Sequence, residues 1–477
     1  MKTGGIPLED PPAKATSAAD AGVRDARLGS RPLRVGFISP VNPADPTQMS
    51  GMVHSAWCAL SKRNIELVVL SCDPAAANAQ SAGHDDRAVI PPLVRRRERS
   101  WVKNAVPAHW RAQIRSFRRE LYGGRWTPFE YRRQIRLAQQ KSKSIARQAQ
   151  SHELDVLFGV CMSTLLYALD TDLPIVYCSD ATARLVNTTY PSFMKRSDGY
   201  KRACDDLESA GLARVWCGLF PSRRTIASAI VDHGLSIARA GLIHFGTTVR
   251  PDDGEVIDPD PPSRENLQLV IAAADPVRKR LDFCVEITER LGARGWNVEL
   301  VSIGPPTRRA GRSRRVRCLG WLSLADAKDR ALHRQALRDS HLMLLPSVGE
   351  MYGMAPGEAA HFGRPSVVAG VGGLPTAVED GVSGIVLPAR ATAQEYVDAI
   401  ELICDNPESY RVMSRGAMQR AQQLLTWEAW AAAIEPHLRQ AAQSGGRHLP
   451  RFADGTSARE VMVGDAAFES QTETMHA

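Results

Sequence analysis

One acidic, proline-rich break, RPDDGEVIDPDPPSR from Arg250 to Arg264, cuts this chain into two runs of alternating strand and helix patterns. Before it come the buried strand LRVGFIS (Leu33 to Ser39), a loop holding Ser50 and Gly51, a helix from Met52 to Arg63, and the strand IELVVLS (Ile65 to Ser71). LDVLFGV, PIVYCSD and RVWCGLFPS follow at Leu154, Pro174 and Arg214. After the break the alternation restarts with LQLVIAA (Leu267 to Ala273), a helix running to Arg294, VELVSIG (Val298 to Gly304), VRCLGW (Val316 to Trp321) and LMLLP (Leu342 to Pro346). Short apolar runs separated by helical patterns predict parallel, doubly wound sheets. Two such units joined by one linker enclose a cleft.

The 477 residues leave room for two or three domains. An apolar fraction of 44% and a charged fraction of 23% are those of an ordinary globular protein. No stretch approaches the ~20 apolar residues of a membrane helix. The first 30 residues are rich in Ala, Gly, Pro and Asp, lack the apolar segment of a secretory signal, and are expected to be disordered. The polar, aperiodic tail from 443 to 477 carries the same expectation. Nine scattered cysteines with no Cys-x-x-Cys spacing point to a reduced, cytoplasmic protein without structural zinc.

The net charge of +8 is unevenly placed: residues 93–147 hold sixteen Lys and Arg against three Glu. A general nucleic-acid binder would spread or repeat its basic surface, so no nucleic-acid partner is expected. Arg95, Arg96, Arg97, Arg99, Lys103, Arg111, Arg115, Arg118 and Arg119 interleave with Trp101, Trp110 and Phe117. This composition suits an anionic membrane surface, a solvated helical hairpin, or a soluble anionic acceptor.

The densest chemistry lies in PSVGEMYGMAPGEAAHFGRPSVVAGVGGLP, from Pro346 to Pro375. Glu350 follows a strand's carboxyl end, and Glu358 sits on the helix expected from Met354 to Phe362. Ligands of open α/β sheets bind at that edge, and helix N-termini there favour phosphate. Two carboxylates beside such a site suit a ligand rich in hydroxyls. Upstream, DPVRKRLD (Asp275 to Asp282) follows a strand directly and supplies Arg278, Lys279 and Arg280.

Strand, Pro346-Ser347, Glu350, seven residues, Glu358, Gly363-x-Pro365 and Gly372-Gly373-Leu374-Pro375 together resemble the family 4 glycosyltransferases. The resemblance spans roughly residues 33 to 440 and is most specific between 266 and 390. It implies the GT-B fold: a Rossmann-like acceptor domain (31–249), a linker (250–265), a Rossmann-like nucleotide-sugar domain (266–425) and a crossover helix (426–442). It implies a retaining transfer from a UDP- or GDP-sugar to a hydroxyl acceptor, in polysaccharide, glycolipid or cell-envelope glycan synthesis, without metal or other cofactor. Glu350 would hold donor-sugar hydroxyls and Glu358 the ribose. Lys279 and Arg278 would hold the diphosphate, with Gly51 approaching it from across the cleft and Met351, Tyr352, Gly353 and Met354 lining the donor site. A GT-B phosphorylase or epimerase, or a non-catalytic sugar-nucleotide-binding protein, is the alternative.

Two departures stand out. Many members carry an Arg shortly before the Lys, where this chain has Ala273 and Ala274. The family commonly places a His after a mid-domain strand, where this chain has Asp180. Asp180 could orient hydroxyls of donor or acceptor, or cap the following helix. Asp170-x-Asp172 and Asp258-x-Asp260 imitate metal-binding pairs, but their placement before a strand and in the linker argues against that role.

Overall fold

The computed structural model describes residues 31–46, 48–71 and 128–463. The basic and aromatic residues from Arg95 to Phe117 lie outside them. The strands are β1 (Leu33–Ile38), β2 (Ile65–Leu70), β3 (Val156–Val160), β4 (Ile175–Cys178), β5 (Cys217–Phe220) and β6 (Ala240–Leu242), then β7 (Leu267–Ala272), β8 (Val298–Ile303), β9 (Val316–Gly320), β10 (Leu342–Leu345), β11 (Ser366–Ala369) and β12 (Gly384–Leu387). They form two six-stranded sheets, ordered β2-β1-β3-β4-β5-β6 and β12-β11-β10-β7-β8-β9. Every pairing is parallel. Helices cover both faces, so β3, β4, β5, β10 and β11 are buried along their whole length.

In chain order the helices of the first half are α1 (Met52–Ser61), α2 (Pro128–Gln150), α3 (Ala183–Thr189), α4 (Pro191–Met194), α5 (Asp198–Leu212) and α6 (Arg223–Val231). Those of the second half are α7 (Leu281–Ala293), α8 (Ala327–Asp339), α9 (Met354–His361), α10 (Leu374–Ala377), α11 (Ala393–Cys404) and α12 (Pro407–Leu424). The order of strand addition reverses between β1 and β3 in one sheet and between β7 and β10 in the other. These are the switch points at which such sheets bind ligands. The two carboxyl edges face each other, and Tyr352 of the second half packs into the core of the first.

A further helix, α13 (Trp427–Ser444), returns to the first sheet. Trp430 meets the Phe158 ring at 6.0 Å, and Glu435 pairs with Arg63 at 2.6 Å. The break before β7 carries no helix and is pinned by pairs such as Arg250–Glu428 and Arg338–Glu255.

The expectation of a disordered tail is corrected for residues 443–463. Leu242 of edge strand β6 donates its N–H to Thr456 O at 2.8 Å, and Phe452 occupies the space a side chain at Gly241 would need. A short helix, α14 (Ala458–Val463), then buries Ala458 and Val461 in the first domain's core. Covering an edge strand and burying three apolar side chains offsets the entropy of ordering the segment.

Candidate functional site

β7 hands the chain to a turn in which Asp275 accepts the backbone N–H of Arg278 (3.1 Å). Of the three cations there, Arg280 adopts a left-handed conformation (φ 55°) and lays its guanidinium on Phe283, 3.7 Å from the ring centroid. It leaves the site. Arg278 and Lys279 turn toward the neighbouring strand's loop. Arg278 Nη1 lies 2.7 Å from Glu350 Oε1 and donates to Gly349 O at 2.7 Å, while Lys279 Nζ stands 3.7 Å from the same carboxylate oxygen.

Glu350 is buried just past β10, where Ser347 Oγ also donates to Oε1 at 3.1 Å. The glycine pair makes this loop possible. A Cβ at Gly372 (φ 56°) would fall 1.6 Å from Glu350 O, and one at Gly373 would fall 2.3 Å from Met351 O. The turn therefore packs backbone to backbone against the carboxylate loop, which only glycine allows. Gly353 (φ 90°) starts α9 with no side-chain cap, leaving the helix's first N–H groups for a ligand.

One turn into α9 stands Glu358, buried yet with no hydrogen bond or ion pair among the described residues. His333 of α8, which the sequence reading passed over, lies near both Glu358 and Lys279. Burial holds its pKa below the ordinary histidine value, Glu358 opposing and Lys279 reinforcing the shift.

Not every residue expected at the donor site sits there. Tyr352 is buried in the interdomain wall, its hydroxyl 3.2 Å from His244 Nδ1 and its ring edge-on to Phe245. Met354 packs against the same first-domain core, and Met351 is buried. Burial, then Arg420 and Arg223, push His244 down to about 3 and keep it neutral.

From the first domain, Gly51 (φ 74°) opens α1, where a Cβ would lie 3.3 Å from Pro46 O. Asp180 follows β4. It is not the cap of α3: Thr182 holds that position and accepts from Leu185 N. Instead the Asp180 carboxyl stands 3.9 Å from Cys161 Sγ. Burial pushes its pKa up to about 6, and the charge of Glu350 adds to the rise from across the cleft. Tyr190, at the end of α3, completes the facing wall, its ring 5.2 Å from the Arg278 guanidinium. No motif marks Tyr190; only its place after a helix at the sheet's carboxyl edge could have drawn notice. Among the described residues no three His, Cys, Asp or Glu side chains cluster as metal ligands would, and no helix is long and apolar enough to cross a membrane.

Residues 266–406 match the family model Glycosyl transferases group 1 and form a domain of that type. The chain is 38% identical to D-inositol 3-phosphate glycosyltransferase of Saccharomonospora viridis over 104 residues, 22% of this chain and 24% of that one. It is 35% identical over 115 residues to D-inositol 3-phosphate glycosyltransferase 1 of Catenulispora acidiphila, 24% of this chain and 26% of that one. The match thus spans about a quarter of the length of these curated relatives. Sucrose-phosphate synthase from Thermosynechococcus elongatus aligns with a TM-score of 0.55 at 16% identity, over 86% of this chain and 98% of that one. HepE of Anabaena in complex with UDP aligns at 0.52 and 14% identity, over 86% and 100%. These likenesses establish the fold as GT-B.

Proposed function

We propose that the protein is a retaining glycosyltransferase that moves a sugar from a UDP- or GDP-sugar to a hydroxyl of a polysaccharide, glycolipid or cell-envelope acceptor, without a metal. The observation that carries this reading is Glu358: a mostly buried side chain beside the open start of α9 whose carboxylate oxygens have no protein partner among the described residues and are open to accept from a ligand. A nucleotide's ribose diol supplies the two donors it lacks. Lys279, Arg278 and the open start of α9 then face the diphosphate, and the loop at Gly51 approaches it from the other domain. Glu350 holds hydroxyls of the donor sugar.

In the transfer, the bond from the anomeric carbon to the diphosphate oxygen breaks and its electron pair leaves with the phosphate. Fixed cations and amide N–H groups stabilise that charge as it grows. The acceptor oxygen attacks on the same face, and its proton passes to the departing oxygen. Asp180, opposite Glu350, orients the hydroxyls that meet there. The Glycosyl transferases group 1 domain and the glycosyltransferase relatives support the reaction class, and UDP in the HepE complex supports the donor class.

Calorimetry with UDP, GDP, ADP and CMP tests the reading. One nucleoside diphosphate should bind, and Glu358→Gln should weaken it about tenfold, the effect of one lost charge-assisted contact. Failure of all four to bind overturns the reading; unchanged affinity in Glu358→Gln overturns the ribose assignment.

The proposed setting is the cytoplasmic face of an anionic membrane. Phe129, Arg132, Arg136, Gln140, Lys143 and Arg147 recur at helical spacing along the exposed side of α2, and Glu130 is the helix's one acid. Each cation near an anionic surface contributes ~1 kcal/mol. Sedimentation with anionic but not neutral vesicles, lost in ~0.5 M salt, is expected; no binding at low salt rejects docking.

A further inference from the structure

Thr189 and Tyr190 close the end of α3 in the first domain and rest on the second domain's Glu350 loop. A Cβ at Gly349 would fall 2.4 Å from Thr189 Cγ2, so the two segments meet with no room for a side chain between them. One residue on, the Tyr190 ring lies against the Arg278 guanidinium at 5.2 Å from the centroid. That guanidinium is the group already shared between Glu350 Oε1 and Gly349 O, each at 2.7 Å. Tyr190 thereby touches, from the acceptor side, a cation of the donor side. Its phenol is pushed up to about 12 by burial first and by Asp180 and Glu350 next, so the ring stays neutral beside both carboxylates.

We propose that Tyr190 is a positioning residue for the diphosphate of a nucleoside diphosphate ligand, acting through Arg278 and only while the cleft is closed. The inference rests on the donor-site reading above. A free arginine carries many rotamers, and one held flat on a ring spends less entropy when it takes up phosphate oxygens. Because the ring belongs to the other domain, the grip on the diphosphate depends on closure, and opening the cleft releases both together. The ring face does this, not the hydroxyl.

The test measures affinity by calorimetry for whichever of UDP, GDP and ADP binds the wild-type protein most tightly. Tyr190→Ala should weaken it three- to tenfold, the range about 1 kcal/mol of cation–π attraction allows. Tyr190→Phe should stay within twofold of wild type. In an Arg278→Lys background, which keeps the charge but not the planar stack, Tyr190→Ala should cost less than twofold. A role confined to packing predicts the same loss in both backgrounds, and that result overturns the proposal. So does unchanged affinity in Tyr190→Ala when its melting temperature is normal. If no nucleoside diphosphate binds the wild-type protein, the donor reading fails and this inference with it; if one binds and only the Tyr190 pattern is absent, this inference alone fails.

Discussion

In the second domain, Lys279 and Glu350 leave neighbouring strands, β7 and β10, on either side of the switch point, and one carboxylate oxygen meets both cations. In the first domain, Gly51, Asp180 and Tyr190 leave different layers of the fold, and no ion pair joins them. One half of the cleft is a charge cluster held rigid by glycine turns. The other is a wall of partly buried groups that acts mainly through what it faces. On the proposed reading, the second domain's half would fix charge and the first domain's half would vary around it.

Glu350→Gln presses hardest on that comparison. The substitution keeps shape and removes the charge that on the proposed reading faces the sugar, so its effect should belong to the transition state as the anomeric carbon becomes positive. Turnover should fall about 10²- to 10³-fold, the size of losing one preorganised electrostatic contact. Affinity for the nucleoside diphosphate should change by no more than a few-fold. Steady-state rates beside calorimetry separate the two, and equal losses in both would show the donor half to be a binding site only.

The same contrast governs what the sequence could show. Glu350 and Glu358 lie within one strand–loop–helix unit, and the Gly372-Gly373 turn follows the adjacent, paired strand β11, so this short stretch of chain stays together in space. Arg280 could not be told from Arg278 by pattern, because a single left-handed residue sends it to Phe283. Met351, Tyr352 and Met354 sit inside the motif, yet Tyr352 and Met354 pack on the other domain, which local sequence does not reveal. Asp180 and Thr182 are both good caps two residues apart, and only the start of α3 decides between them. β6, β11 and β12, runs of three or four residues, were not read from the sequence, although β4, β5 and β10 are as short. The tail escaped because its few apolar residues, such as Phe452, Ala458 and Val461, take their order from edge strand β6, far off in the chain.

Asp180→Asn gives the smallest effect and the sharpest sign. In the folded protein the carboxyl titrates near 6, mainly through burial, against an ordinary value near 3.8. Between those values the folded state holds the proton that the unfolded state has released. Stability therefore falls as pH rises through that window, and above it the full cost remains, on the order of 3 kcal/mol. Asparagine carries no charge, so Asp180→Asn should melt a few degrees above wild type at pH 8 and level with it at pH 4. Turnover should drop at the same time, because on the proposed reading the lost charge faces the reacting sugar. Glu208 supplies the control: it is buried in α5, pushed up to about 7 chiefly by burial, accepts the Ala183 N–H, and has Asp205 rather than Glu350 as the charge acting on it. Glu208→Gln should show the same pH-dependent stabilisation with turnover kept. Melting curves at both pH values and rates at pH 8 check the pair. Two variants that gain stability and keep full activity alike would remove Asp180 from the reacting centre and leave the first domain's half of the cleft without a charged participant.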